Sequence, residues 1–162
     1  MSFSYTQPFI VVGAFIVRDG KLLLIQENHD PDKGKWNLPA GKLDFGEDPR
    51  DAAKREAFEE AGVSFTPQSL LGIHSVHRHD TPGEVHALRI VFLGTAGGEV
   101  DLSHGEPVDG IEEIADFKWV ELSDVLEMDD SLLRYHDIKD LVQDYMDGKN
   151  YPLELLEHIV QR

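Results

Sequence analysis

One stretch of the chain has both of its ends marked. Asp48-Pro49 joins a capping side chain to a residue that suits the first helical position, and Gly62 offers the left-handed stop that ends many helices. Between them, residues 50–61 are rich in Ala, Glu, Lys and Arg, all compatible with helix. The spacing predicts a helix on which Glu56, Glu59 and Glu60 share an arc of roughly 100°. Arg55 lies one turn before Glu59, within reach of its carboxylate. Ala53, Ala57 and Ala61 recur one turn apart on another stripe, small enough to let the helix press closely on a sheet.

The segments around this helix read as strands. Residues 9–17 are β-branched and run into Asp19-Gly20, a dipeptide suited to a tight hairpin, with 21–26 as the return strand. Residues 27–35 form a polar loop with Pro31 and Gly34. A short strand is expected at 36–38, broken by Pro39-Ala40-Gly41. Further strands are expected at 70–79 and 86–95, joined by the turn at 80–83, and again at 116–122 after a Gly-rich acidic loop at 94–109. Ser123-Asp124 could cap a short helix, and 138–146 reads as a longer one ended near Gly148. The apolar tail from Tyr151 is expected to dock on the body. With no repeat or linker, one α/β domain over 1–162 is the simplest organisation.

Charge narrows the function. The chain has 31 Asp and Glu against 15 Lys and Arg, a formal net charge of −16, which disfavours long nucleic acid and anionic membrane as partners. The absence of Cys removes disulfides, thiolate nucleophiles and Cys-ligated zinc. The apolar runs at 9–17 and 22–25 are too short to span a bilayer, and Met1-Ser-Phe-Ser-Tyr5 lacks the basic and apolar regions of a signal peptide. A cytoplasmic protein with a small-molecule partner, monomer or homodimer, is the expectation.

The glutamate arc has two readings. Like charges at Glu56 and Glu60 cost a few tenths of a kcal/mol, roughly, on an exposed helix, and an ordinary solvated acidic face tolerates that. A hard divalent cation reverses the sign. Mg²⁺ takes oxygen ligands and commonly binds one or two carboxylates together with substrate phosphates. A backbone carbonyl at the Pro39-Ala40-Gly41 break could add a ligand.

Residues 41–63 resemble the Nudix box, G-x5-E-x7-R-E-U-x-E-E-x-G-U, where U is a bulky aliphatic residue. Gly41, Glu47, Arg55, Glu56, Glu59, Glu60, Gly62 and Val63 match; Ala57 departs at the first U position. Trp36-Asn-Leu-Pro-Ala-Gly41 resembles the strand that leads into the box. Together with Leu88-Arg89, Trp119-Val120 and Tyr151-Pro-Leu-Glu-Leu155 it is similar to the small bacterial phosphatase branch called NudJ. The resemblance implies an α/β/α sandwich with a mixed sheet. It implies Mg²⁺- or Mn²⁺-assisted attack of water on a pyrophosphate bond in a small nucleotide or related diphosphate. On the matched positions, Glu56 and Glu60 are the main metal ligands, Glu59 adds a ligand or a water contact, and the Ala40 carbonyl is a backbone ligand. Arg55 and Glu47 orient the glutamates, with Gly41 opening the box. Glu113, six residues before Trp119, stands where relatives often carry an acid that reaches the metals, as ligand or general base, or else is a surface glutamate; Glu59 or Glu60 is the competing base. Nucleoside tri- and diphosphates, a thiamine-precursor pyrophosphate, oxidised dNTPs and ADP-ribose all fall within this chemistry. A nucleotide-sensing module without turnover is the alternative of another class.

The substrate side is less marked. Arg89 interrupts the apolar run at 87–92 and needs an anion, either a substrate phosphate or a carboxylate of this chain. Lys35, with Lys33, could attract a phosphate tail, and Asn37 could meet a base edge or pin its loop. For His74, His77, His79 and His86, the lack of Cys and of a carboxylate at ligand spacing favours hairpin-tip polarity or base stacking over metal. His79 is expected to face His86 across the hairpin.

Overall fold

The computed structural model describes residues 7–162; the residues read above against a signal peptide lie outside them. Strands β1 (Phe9–Arg18) and β2 (Lys21–Glu27) precede the short β3 (Trp36–Asn37) and β4 (Ala40–Lys42). Helix α1 (Pro49–Ala61) is followed by β5 (Ser64–Arg78), β6 (Val85–Gly97), β7 (Ile114–Glu121), α2 (Leu122–Glu127) and α3 (Asp137–Met146).

The seven strands form one mixed sheet with the path β3-β2-β1-β6-β5, and β4 and β7 pair with β1 and β2. Strand β1 organises it. One edge runs parallel to β6 from Phe9↔Ala87 to Ile16↔Gly94. Its other edge pairs antiparallel with β4 at Val11–Gly13 and with β2 at Val17 and Arg18.

Alternation along the strands fills both faces. Val12, Ala14 and Ile16 of β1 and Leu23 and Ile25 of β2 pack in one core with Ala52, Ala53, Ala57 and Ala61 of α1. Phe15, Leu22 and Leu24 point the other way, into a core with Val125 of α2 and Ile138, Leu141 and Val142 of α3. The product is the expected α/β/α sandwich. Ala57, the departure from the box pattern, is fully buried, so its small side chain sits at the helix–sheet contact. None of the described helices is long and apolar enough to cross a membrane.

The helix limits hold at both ends. Asp48 accepts from the Arg50 amide, Pro49 is the first helical residue, and Gly62 closes the helix at φ 68° with its N–H on the Phe58 carbonyl. The hairpin turn at Asp19 (φ 50°) and Gly20 (φ 76°) also holds. Three expectations are corrected. The chain does not simply break at 39–41: Ala40–Lys42 resumes as β4, hydrogen-bonded to β1. Strand β5 begins at Ser64 rather than 70, because register shifts at 67/69 and 70/72 interrupt the alternation that would mark it. Glu121, not Ser123 or Asp124, precedes α2, and no side chain caps it. The tail does dock: Tyr151 and Leu70 exchange both backbone hydrogen bonds at 2.8 Å, and Leu153 and Leu156 pack against the α1-side core.

Candidate active site

Helix α1 turns its glutamate arc toward the junction of β2, β4 and the loop before β7. Glu56 and Glu60 are 7% and 3% exposed, whereas the Glu59 side chain keeps 42%. Arg55 holds the group together. Its guanidinium donates to both Glu47 oxygens at 2.9 and 3.1 Å, to Glu56 Oε1 at 2.6 Å and to Glu59 Oε2 at 3.3 Å. A further bond to the Lys42 carbonyl at 3.1 Å ties this clamp to β4. The bidentate pair fixes both partners' orientation as well as their distance. The hydrogen bonds from Arg55 hold the Glu47 carboxyl below its ordinary range, so Glu47 is a fixed anion.

Strand β4 approaches the arc from the sheet side. The Ala40 N–H donates to Glu60 Oε1 at 3.3 Å. Gly41 passes so close to Glu56 that an added β-carbon would lie 2.2 Å from the carboxyl carbon. This requirement is one of space, since Gly41 has no positive φ.

The buried carboxylates are electrostatically loaded. Burial pushes Glu60 well above the usual carboxylate range, and Glu27, Glu56 and Glu113 add to it. Burial likewise raises Glu56, opposed by Arg55 and reinforced by Glu59 and Glu113. Glu113 is raised by burial and then by Glu27 and Glu59. The Glu60 Oε2 oxygen is buried with no hydrogen-bond partner. Several carboxylates converging beside a buried, orphaned oxygen make a donor set for a hard divalent cation, which prefers oxygen and offsets their mutual repulsion. The expected residues Ala40, Gly41, Glu47, Arg55, Glu56, Glu59, Glu60 and Glu113 are thus brought together.

Glu27 belongs to the same cluster, although nothing in the spacing marks it. It is buried at the end of β2, where its Oε1 accepts from Asn37 Nδ2 at 3.1 Å and from Arg134 Nη1 at 2.7 Å. Those partners lie 10 and 107 residues away in sequence, which is why local pattern could not find it. Asn28 anchors the loop that carries Glu113, bonding the Glu113 carbonyl through its N–H (3.1 Å) and the Glu112 carbonyl through Nδ2 (2.8 Å).

A cleft of about 250 Å³ opens beside the cluster. Asn37, Ala40 and Gly41 line it, and each touches the carboxylates: Asn37 bonds Glu27, Ala40 bonds Glu60, and Gly41 abuts Glu56. Phe9, Lys42, Arg78, Arg134 and Tyr135 line it further out, and the 81–85 turn closes one side. Arg78 joins that wall through a bidentate pair with Asp32 (3.1 and 2.8 Å) and two bonds to Asp80.

The three substrate candidates fare differently. Asn37 lines the cleft, but its amide is engaged by Glu27 and by the Leu38 N–H at 2.9 Å, so it pins the loop. Lys35 pairs with Asp32 at 3.3 Å and Asp80 at 3.5 Å and does not line the cleft. Arg89 is 1% exposed, ion-paired to Asp137, with its guanidinium 4.1 Å from the centre of the Tyr135 ring. Its anion is therefore a carboxylate of this chain. The histidine expectation also needs correction. His77, not His79, stands opposite His86, and a carboxylate does lie at ligand spacing, that of Glu84.

The NUDIX domain family matches residues 7–140 of the chain. An ADP-ribose pyrophosphatase from Methanocaldococcus jannaschii is 39% identical over 97 residues, which cover 59% of this chain and 56% of that protein. Phosphatase NudJ of Escherichia coli is 29% identical over 151 residues, covering 93% of this chain and 91% of that one. Among solved structures, a NUDIX hydrolase from Nitrosomonas europaea superposes with a TM-score of 0.80 at 29% identity, covering 94% of this chain and 98% of that chain.

Proposed function

This chain belongs to the Nudix family, and on that premise we propose that it hydrolyses a phosphoanhydride bond in a small nucleotide or related diphosphate, with Mg²⁺ or Mn²⁺ as cofactor. The observation that carries the reading is a cleft whose lining residues Asn37, Ala40 and Gly41 contact a carboxylate cluster that holds an orphaned Glu60 oxygen. A site of that size suits a small diphosphate, and a net charge of −16 argues against a polymer.

Glu56 and Glu60 are the main ligands in this reading, with Glu59 and the Ala40 carbonyl as further donors. The divalent ion, when bound, supplies positive charge for the phosphates and Lewis acidity for the attacking water. Arg55 and Glu47 hold the glutamates in place. Burial has already restricted their rotamers, so little reorganisation is left for the reaction. Glu113, which burial and the charges of Glu27 and Glu59 place electrostatically in the same cluster, is the general base in this reading. Glu59 and Glu60 are the competitors for that role. Phe9, Tyr135, Arg78 and Arg134 also line the cleft, with Arg78 and Arg134 held in ion pairs to Asp32 and Glu27. Arg89 and Lys35 are assigned to internal ion pairs. The reading carries with it a cytoplasmic, freely diffusing enzyme.

Nucleoside tri- and diphosphates are the first substrate class, because the likeness to Phosphatase NudJ extends over 93% of the chain. ADP-ribose is the second, supported by the 39% identity to the archaeal pyrophosphatase over the shorter span. Incubation with Mg²⁺ and a nucleotide panel, with products identified, tests this. Orthophosphate release supports the first class, AMP from ADP-ribose the second, and pyrophosphate from a triphosphate indicates cleavage between the α and β phosphorus. Tight nucleotide binding with no release from any member overturns the hydrolase reading in favour of a sensor.

A further inference from the structure

The tip of the β5–β6 hairpin gathers nitrogen ligands away from the carboxylate cluster. His77 is the next-to-last residue of β5 and His79 follows its last, Arg78, with both side chains on one side of the hairpin tip. Their rings are 4.1 Å apart, and the His86 ring stands 5.5 Å from His77 across the ladder. Glu84, in the turn, folds back over both. Its Oε2 is 3.3 Å from His77 Nε2 and its Oε1 is 3.2 Å from His79 Nδ1. Ligand atoms from the three side chains all lie within 4.8 Å of one another, and all three residues are exposed.

We propose that His77, His79 and Glu84 form a second metal site, selective for a borderline transition ion of the Zn²⁺ class and separate from the carboxylate cluster. Zn²⁺ bonds to imidazole nitrogen and carboxylate oxygen at about 2.0–2.2 Å, which places neighbouring tetrahedral ligands about 3.3 Å apart. Each histidine nitrogen already stands at about that distance from one Glu84 oxygen, His77 from Oε2 and His79 from Oε1, and a contraction within the 4.8 Å spread brings one ligand atom of each residue onto a single ion. Imidazole suits Zn²⁺, Ni²⁺ and Cu²⁺, whereas Mg²⁺ keeps to oxygen, so the two sites sort ions by donor type. Exposure leaves the fourth position open to water or to His86, whose Nε2 now bonds Ser75 Oγ at 2.8 Å. An ion held here would fasten the turn to the end of β5, and the 81–85 turn is one wall of the cleft.

The test is Zn²⁺ titration calorimetry on the full chain at pH 7.5. The Glu56→Gln/Glu60→Gln variant is used to disable the carboxylate cluster. That variant is expected to bind one Zn²⁺ per chain. Adding His77→Ala/His79→Ala should weaken the binding at least ~100-fold, beyond the loss of an outer-shell partner. Glu84→Gln should weaken it too, while millimolar Mg²⁺ should not compete. The proposal is overturned if the histidine changes leave Zn²⁺ binding as it was, or if the Glu56→Gln/Glu60→Gln change alone abolishes it. All three tip residues are on the surface, so the comparison does not depend on a rebuilt core.

Discussion

Gly41 and Glu56 are in contact across the gap between β4 and α1, close enough that a β-carbon on Gly41 would overlap the Glu56 carboxyl group at 2.2 Å. The Glu56 side chain is braced from behind by Arg55, so it cannot swing aside without losing a 2.6 Å hydrogen bond. Gly41→Ala should therefore shift one carboxylate of the cluster while leaving the fold alone. A displacement of about an ångström at a reacting centre costs on the order of 100-fold in rate. Steady-state kinetics with Mg²⁺ should show a loss of that size with an unchanged far-UV spectrum; full activity would mean that Glu56 does not need this position.

Glu60→Gln should separate activity from stability. The substitution removes a buried charge that burial and three neighbouring carboxylates already disfavour. We expect kcat to fall by several orders of magnitude. The metal-free melting temperature should stay level or rise, as often follows when a strained functional group is neutralised. Wild-type turnover, or a large drop in metal-free stability, would contradict the assignment.

Divalent metal should stabilise the native chain by linkage, because the convergent cluster exists only when the chain is folded. At Mg²⁺ one hundred times its dissociation constant the gain is about 2.7 kcal/mol. Thermal melts with and without millimolar Mg²⁺ measure it, and the shift should vanish in Glu60→Gln.

Asp137 has a different kind of importance. It is the first residue of α3, accepts from the buried Arg89, and also bonds His74 Nδ1 at 2.9 Å. Asp137 is bonded by Arg89 Nη1, while Arg89 Nε and Nη2 have no hydrogen-bond partner, so Asp137→Ala would strand a buried cation. Breaking such a pair costs about 3–5 kcal/mol. Denaturant unfolding should show a loss in that range, and Arg89→Met combined with Asp137→Leu should restore most of it.

The same contact predicts a pH effect. The hydrogen bond that His74 donates to Asp137 raises the His74 pKa above its ordinary 6.5, against burial and Arg89. Native protein then holds the His74 proton more tightly than the unfolded chain does. The stabilisation is complete below pH about 6.5, the unfolded value, and declines as pH climbs through the native one. The stability difference between wild type and His74→Gln should shrink over that interval; a difference that grows toward alkaline pH would reverse the sign.

How far the sequence disclosed this site depends on the distance over which each piece is determined. Asp48, Pro49 and Gly62 delimit α1 through bonds to residues a few positions away, so its limits and its glutamate arc were readable locally. The sandwich followed from strand alternation and from the resemblance carried by residues 41–63. Glu27, Arg78 and Arg134 escaped because the contacts that bring them to the cleft, Arg78 with Asp32 and Arg134 with Glu27, span 46 and 107 residues. The hairpin histidines were misaligned by the turn: with β5 ending at Arg78 and β6 starting at Val85, His77 rather than His79 faces His86. Glu84 was then overlooked as a partner because only the folded turn brings it back over the strand.

The pairing of β4 with β1 carries a further implication. Gly13 opposite Ala40, and the Ala14 N–H on the Pro39 carbonyl at 2.9 Å, hold the cluster side of the cleft through main-chain bonds to a strand packed against both cores. A slip of one residue there would turn Ala40 and Gly41 to opposite faces and dismantle the cluster. The 81–85 side of the cleft is instead the tip of a hairpin. On the proposed function, changes at residues 81–85 should alter which substrate is admitted while the sheet-held cluster stays in place.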